Sequence, residues 1–324
     1  MSMTRSRRSL IHAIIPLVLV AMTTHAGSTM SYDPAASPEL QAIVDRAVGA
    51  ALARFSEPRL ETNQFAVTLV DLRDLERPVQ ASYRGQEMIY PASVIKLFYL
   101  VAAHQWLEEG RLEDTAELRR AMRDMIVESY NEATHYIVDL LTGTTSGPEL
   151  PPDELESWFQ KRDAVNRYFA SLGYTRINAN KKPWCEGPYG RETQAIKAFD
   201  PKRNALTTDA TARLLVEIVT GKAVSAARCR QMLELMKRDP RPDSKDSDSQ
   251  AKFTGPALPP DARLWSKAGW TSETRHDAAC IELPDGHTFV LVTFTLGHSN
   301  EPGIIHTVAR EVVRGLQDFK SPLR

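Results

Sequence analysis

In Pro91-Ala92-Ser93-Val94-Ile95-Lys96 a serine and a lysine stand three residues apart, and on a helix that spacing puts both side chains on one face. A serine hydroxyl is a poor nucleophile until a neighbouring base takes its proton, and a lysine held in a desolvated pocket is suited to that task. The start of a helix adds free backbone N–H groups that stabilise an oxyanion developing on an attacked carbonyl. Acyl transfer through a covalent serine is the chemistry such a pair supports. Alone it is weak evidence, because a chain of this length contains about one Ser-x-x-Lys by chance at average residue usage. Ser93 could simply cap a helix and Lys96 lie in solvent. Against that, Lys96 sits among Val94, Ile95, Leu97, Phe98 and Leu100, where a solvated lysine is out of place.

Two further clusters follow. Ser129-Tyr130-Asn131 precedes the helical pattern Ala133 to Leu141, and Trp265-Ser266-Lys267-Ala268-Gly269-Trp270 opens the late strand region. In this order, Ser-x-x-Lys, Ser-x-Asn and Lys-[Thr/Ser/Ala]-Gly resemble the signature of class A β-lactamases and penicillin-binding proteins. The flanks are similar too: Tyr90-Pro91-Ala92, Asn131-Glu132-Ala133, Leu206-Thr207-Thr208 and Thr274-Arg275-His276-Asp277. The likeness runs from about Gln41 to Phe319.

The resemblance implies Ser93 as the acylated nucleophile, Lys96 as its base and Ser129 as the proton shuttle to the leaving nitrogen. It further implies Asn131 as a ligand for the substrate amide, Lys267 as a positive anchor, and the backbone N–H groups of Ser93 and Trp270 as the oxyanion hole. The implied activity is that of a cofactor-free serine hydrolase on β-lactams or related cyclic amides. A peptidoglycan D,D-peptidase and a catalytically impaired wall-binding module are the alternatives, so the expected partner is a β-lactam or a peptidoglycan-derived small molecule.

The sequence departs from the family pattern in three places. Ser129 follows Ser93 by 36 residues, a shorter step than is usual in class A enzymes, so a connection in the helical lobe is trimmed. Ala268 replaces the usual hydroxyl residue and removes one donor for a substrate carboxylate; Thr271, Ser272 or Arg275 could compensate, with Arg275 best placed by resemblance. The Glu-x-x-x-Asn element that holds the deacylating water is not legible between Gly173 and Asn204. Glu186 and Glu192 are the candidates there, and neither has Asn four residues later; the bland reading of both is a solvated loop carboxylate.

The elements that must position these groups are readable in outline. Pro38 to Phe55 shows helical spacing, Phe65 to Val70 and the stretch around Gln80 to Arg84 read as strands, and Ala92 to Glu109 as an apolar helix ended by Gly110. Leu118 to Leu141 reads as one or two helices stopping at Gly143, and Glu154 to Leu172 as one more. Gly173 to Asn204 has no clear period and is expected as an ordered surface loop near the site. Helices from Thr208 to Thr220 and Ser225 to Lys237 precede a polar run, Arg238 to Gln250, expected as a solvated, mobile loop. Strands near Ala278 to Leu283 and Phe289 to Leu296 flank the turn Pro284-Asp285-Gly286, and Ile304 to Phe319 is helical. Strands near both ends with helices between them predict an α+β fold: an antiparallel sheet flanked by N- and C-terminal helices, with an adjoining all-helical lobe.

With 324 residues, 42% of them hydrophobic and 25% charged, the chain can bury a full core. Arg5, Arg7 and Arg8 precede an apolar run from Leu10 to Met22 and the small-x-small ending Thr24-His25-Ala26, the layout of a cleavable leader. The run is shorter than the roughly 20 apolar residues a bilayer span needs. The domain reading is therefore a leader at 1–26 and a catalytic domain at 27–324, exported to the periplasm or outside the cell and without a stable membrane span after cleavage. Ser6-Arg7-Arg8-Ser9 also resembles a twin-arginine export signal. The formal charge of -1 becomes about -4 once the three leader arginines are subtracted, which gives no reason to expect a nucleic-acid partner. A monomer is expected. Cys185, Cys229 and Cys280 are too few and scattered for a disulfide framework or zinc site and read as buried small hydrophobes. His25, His135 and His276 show no metal-ligand pairing, so neither metal nor cofactor is expected.

Overall fold

The computed structural model describes residues 32–318 apart from 58, 185 and 242–249. The expected leader and Cys185 lie outside the described residues.

β1 (Ala35–Ala36) and α1 (Pro38–Arg54) lead into a hairpin of β2 (Phe65–Asp71) and β3 (Val79–Tyr83). Helices α2 (Lys96–Glu108), α3 (Ala116–Arg123), α4 (Asn131–Thr142), α5 (Pro152–Arg162) and α6 (Ala164–Ser171) follow. A small pair, β4 (Ile177–Asn178) and β5 (Ala205–Leu206), brackets α7 (Gly190–Ala198). The chain then forms α8 (Thr208–Val219), α9 (Ala226–Met236), β6 (Lys237–Arg238), β7 (Arg263–Trp270), β8 (Thr274–Glu282), β9 (Thr288–Leu296) and α10 (Gly303–Asp318).

Seven strands form one sheet in the order β1-β3-β2-β9-β8-β7-β6, antiparallel except for the short parallel pairing of β1 with β3. Along β2 successive side chains point to opposite faces. Phe65, Val67 and Leu69 enter the core beneath α1 and α10, with Val44, Ala47, Val308 and Val312. Ala66 and Val70 enter the other core, which holds Phe98, Leu100, Ile137, Phe169 and Leu215 of the helical side. The predicted α+β architecture is the one observed.

Local chemistry explains the boundaries. The Ser37 hydroxyl accepts the Leu40 N–H at 3.1 Å and Pro38 opens α1, a capped start in which the missing proline N–H costs nothing. Gly143, at φ 60°, ends α4 in the left-handed conformation.

Four expectations change. The predicted helix from Ala92 begins as a 3-10 turn over Ala92–Ile95, because Ala92 has φ 46° and cannot join an α-helix. The segment 154–172 divides into α5 and α6 at Asp163. The aperiodic stretch 173–204 contains α7, whose nine residues bury only Glu192 and Ala195 and so show too short a pattern to read. Most of the polar run 238–250 lies outside the described residues, but its ends are not solvated: Arg238 and Gln250 are buried. Cys229 and Cys280 are free, buried thiols, as expected.

Candidate active site

Ser93 lies on the 3-10 turn, half-buried between fully buried neighbours. The turn is held from below. His276 on β8 faces the Tyr90 carbonyl with Nε2 at 2.9 Å, while its Nδ1 accepts the Thr295 N–H at 3.0 Å. Accepting at Nδ1 leaves Nε2 as the donor. Burial pushes the pKa of this ring down to about 4, against the backbone hydrogen bonds of Tyr90 and Arg275. On the other side runs β7. A Cβ built on Gly269 would stand 2.6 Å from the Pro91 carbonyl oxygen and 3.1 Å from the Ser93 nitrogen; only glycine lets this strand pass so close to the nucleophile's backbone.

Lys96 is completely buried. Its ammonium donates to the Ser129 carbonyl at 2.5 Å and to Asn131 Oδ1 at 2.8 Å, and lies 3.4 Å from Ser129 Oγ. Lys267, also completely buried, approaches the same hydroxyl from β7, with Nζ 2.9 Å from Ser129 Oγ and 2.8 Å from the Ala268 carbonyl. One hydroxyl is thus addressed by two lysines. This works because Ser129 has φ 61° at the end of the π-turn Asp124–Glu128. A left-handed serine costs on the order of 1 kcal/mol or more and persists only where its surroundings hold it.

The sequence motifs therefore converge: Lys96, Ser129, Asn131 and Lys267 make one hydrogen-bonded cluster, and β7 carries Gly269 against Ser93. Trp270 is 59% exposed at the edge of this cluster and Tyr130 is 56% exposed, so aromatic faces from α4's approach and from β7 stand open to a ligand. Arg275, opposite Trp270 in the β7–β8 register, donates to the Ser299 carbonyl at 3.2 Å and lies over the rings of Phe253 and Trp270. Thr271 Oγ1 accepts the N–H groups of Glu273 and Thr274 and closes the β7–β8 turn.

The two candidate glutamates part company. Glu186 is exposed on its loop. Glu192 is buried on α7 and engaged: its Oε1 accepts from Arg162 at 2.8 Å and from the Ser146 hydroxyl at 2.9 Å, with Lys182 Nζ at 3.7 Å. Asp139 joins the same cluster through Lys182 at 2.8 Å and Arg162 at 3.3 Å. The reading of Glu192 as a solvated carboxylate is corrected, because a charge at this depth is tolerable only when paired.

Residues missed from the sequence include Gln250, Arg162 and Lys182. A lone glutamine at the end of a polar run carries no motif. A buried arginine, by contrast, could have been suspected from Trp158-Phe159 beside it. Among the described residues no three His, Cys, Asp or Glu converge as a metal site, and no helix is long and apolar enough to cross a membrane.

The fold is shared with known proteins. The chain is similar to a beta-lactamase from Sphaerobacter thermophilus DSM 20745, with a TM-score of 0.62 and 20% identity over 86% of this chain and 99% of that one. It is similar to a beta-lactamase from Chitinophaga pinensis DSM 2588, with a TM-score of 0.59 and 20% identity over 87% and 99% of the two chains. A mutant of PBP-A solved as its acyl-enzyme complex with penicillin G aligns with a TM-score of 0.61 and 19% identity over 89% and 100%. At these identities the structures speak for the fold. No curated protein sequence matches. The model of the beta-lactamase enzyme family matches residues 113–316, a span that holds the Ser129 and Lys267 motifs and more than half of the chain, and the protein belongs to that family.

Proposed function

We propose that the protein is a serine hydrolase that opens β-lactams through an acyl-enzyme on Ser93. The observation that carries this reading is the shared hydroxyl of Ser129, reached by Lys96 from the helical side at 3.4 Å and by Lys267 from the sheet at 2.9 Å. Lys96, completely buried with its Nζ beside Ser129, is the base assigned to take the Ser93 proton as Oγ attacks the lactam carbonyl. The carbonyl oxygen then takes the negative charge, and the backbone N–H groups of Ser93 and Trp270 are the donors assigned to it. As the C–N bond breaks, Ser129 passes its proton to the leaving nitrogen and recovers one from the Lys96 side. Asn131 aligns the substrate amide. Lys267 and Arg275 supply positive charge for a substrate carboxylate, which offsets the hydroxyl lost at Ala268.

Water must then cleave the ester. Glu192 is engaged by Arg162 and Ser146, and Glu186 is exposed, so neither stands ready as its base. This favours a long-lived acyl-enzyme, and with it a second reading as a peptidoglycan D,D-peptidase. The arginines and apolar run at the N-terminus support export, with cleavage near Gly27.

Mass spectrometry after incubation with penicillin tests the central claim. A single adduct on the wild type, absent from Ser93→Ala, is expected; an adduct on the variant overturns the assignment. Nitrocefin hydrolysis, set beside release of D-alanine from a stem peptide, separates the two substrate classes.

A further inference from the structure

Gln250 lies outside all three motifs, yet it touches two of them. Its side chain is buried, 4% exposed, between the segment that ends at Ser129 and the strand that carries Lys267. Its Oε1 accepts from Lys267 Nζ at 2.7 Å and from the Ala268 N–H at 3.2 Å. Its Nε2 donates to the Ile126 carbonyl at 2.8 Å and to the Val127 carbonyl at 2.7 Å. A primary amide has two donor hydrogens and one two-lone-pair acceptor, and here both ends are filled. The orientation of the amide follows, since the reversed group would set NH2 against an ammonium and oxygen against two carbonyls.

The two sides differ in what they control. Ile126 and Val127 belong to the π-turn Asp124–Glu128, which delivers Ser129 in its left-handed conformation. A π-turn opens the helical ladder and leaves carbonyls that need outside partners. Gln250 supplies both, and Arg238 adds a donor to the Ile126 carbonyl at 3.0 Å. On the other side, the amide oxygen helps fix a buried ammonium that also carries the Ser129 contact. Lys96 lies across Ser129 from that ammonium, and Asp277 on β8 interacts electrostatically with it and with Arg238.

We propose that Gln250 is a positioning residue for the acyl-transfer step: it sets the Lys267 ammonium and the Ser129 hydroxyl against each other by bonding to both of their backbones' neighbourhoods at once. The proposal rests on the hydrolase reading above, and it assigns a role to a residue that never meets the substrate.

Two variants separate its halves. Gln250→Met keeps the volume and loses all four bonds. Gln250→Glu keeps acceptors for Lys267 and Ala268 but turns an oxygen toward the Ile126 and Val127 carbonyls. The measurement is the second-order rate of acylation by a fluorescent penicillin and by its carboxyl methyl ester. In Gln250→Met we expect a fall of about tenfold or more, the scale of one lost charge-assisted bond, with the preference for the free carboxylate largely gone. In Gln250→Glu the rate falls similarly while that preference is kept, a split that general loosening of the fold does not produce. Wild-type rate and preference in either folded variant overturn the role of Gln250 while the hydrolase reading stands. If the wild type is acylated by neither compound, the hydrolase reading fails and the role of Gln250 falls with it.

Discussion

Lys96 and Lys267 meet at one hydroxyl but do different work, and single substitutions should show it. In the proposed mechanism Lys96→Ala removes the base for Ser93, so acylation should slow by roughly 100-fold to 10,000-fold for any β-lactam. Lys267→Ala removes an electrostatic contact and should slow acylation by roughly 100-fold to 1,000-fold, mainly for substrates that carry a carboxylate. Comparing a penicillin with its methyl ester checks the distinction: the ester should feel the Lys267 change less, and equal sensitivity would rule out the anchor. Of the other residues singled out from the sequence, Arg275 stands beside Trp270 with its guanidinium over two rings, while Thr271 is spent on its own turn. A hydroxyl that bonds backbone two and three residues on is a turn residue first, and the sequence alone does not separate that use from ligand binding.

Among the elements, the span from α5 to α7 is fastened by charge as well as by the apolar contacts of Leu155, Trp158 and Ala195. Glu192, Arg162, Asp139 and Lys182 form a buried cluster of two acids and two bases, and Arg162 also lies over the Trp158 ring at 4.5 Å. Removing one partner of such a set leaves the others uncompensated. Glu192→Gln should therefore cost roughly 3 kcal/mol of stability, read as a lower urea midpoint, and it should not create the signature of a lost catalytic base. The kinetic counterpart is a burst: the lactam absorbance of penicillin should fall rapidly by about one equivalent per enzyme and then slowly, because neither Glu186 nor Glu192 is poised for deacylation. Fast linear turnover abolished by Glu186→Gln would refute this and identify the base. Helices with long apolar periods, α1, α8 and α10, were legible because their buried faces repeat over many turns. The 3-10 turn at Ala92, the π-turn before Ser129 and α7 were not, because each is set by tertiary contacts or by too few buried residues to show a period. The same holds for the site. Motif residues were legible, whereas Gln250, Arg162 and Lys182 act through partners distant in sequence.

Across the fold as a whole, the dependence of stability on pH is set by a few ionisable groups sealed in the core. His104 and His276 are both buried, and desolvation pushes each down to about 4 from an ordinary 6.5. The unfolded chain therefore binds two protons between pH 4 and 6.5 that the folded protein refuses. Stability from these histidines is fully present above pH 6.5 and is lost as the pH falls toward 4, on the order of 3 kcal/mol each. Asp277 acts in the opposite sense: burial raises its carboxyl to about 6 from 3.8, against Thr254 and the charges of Arg238 and Lys267. Its folded form holds a proton that the unfolded chain has released, so its contribution falls as pH rises from about 4 to about 6. His135 and His306 shift in the same direction as the two core histidines, and Asp139 in that of Asp277. Two deep histidines outweigh one deep aspartate, so the melting temperature should fall on acidification from pH 6.5 to 4.5. Replacing His276 with Gln should flatten that slope, since His276 can take a second proton only by giving up the Thr295 N–H bond. Asp277→Asn should steepen it by removing the one deep group that gains in acid. Thermal unfolding of the three proteins across this range decides the matter: a slope unchanged by either substitution would mean that the acid sensitivity arises at the surface, and an opposite order would mean that Asp277 is charged throughout.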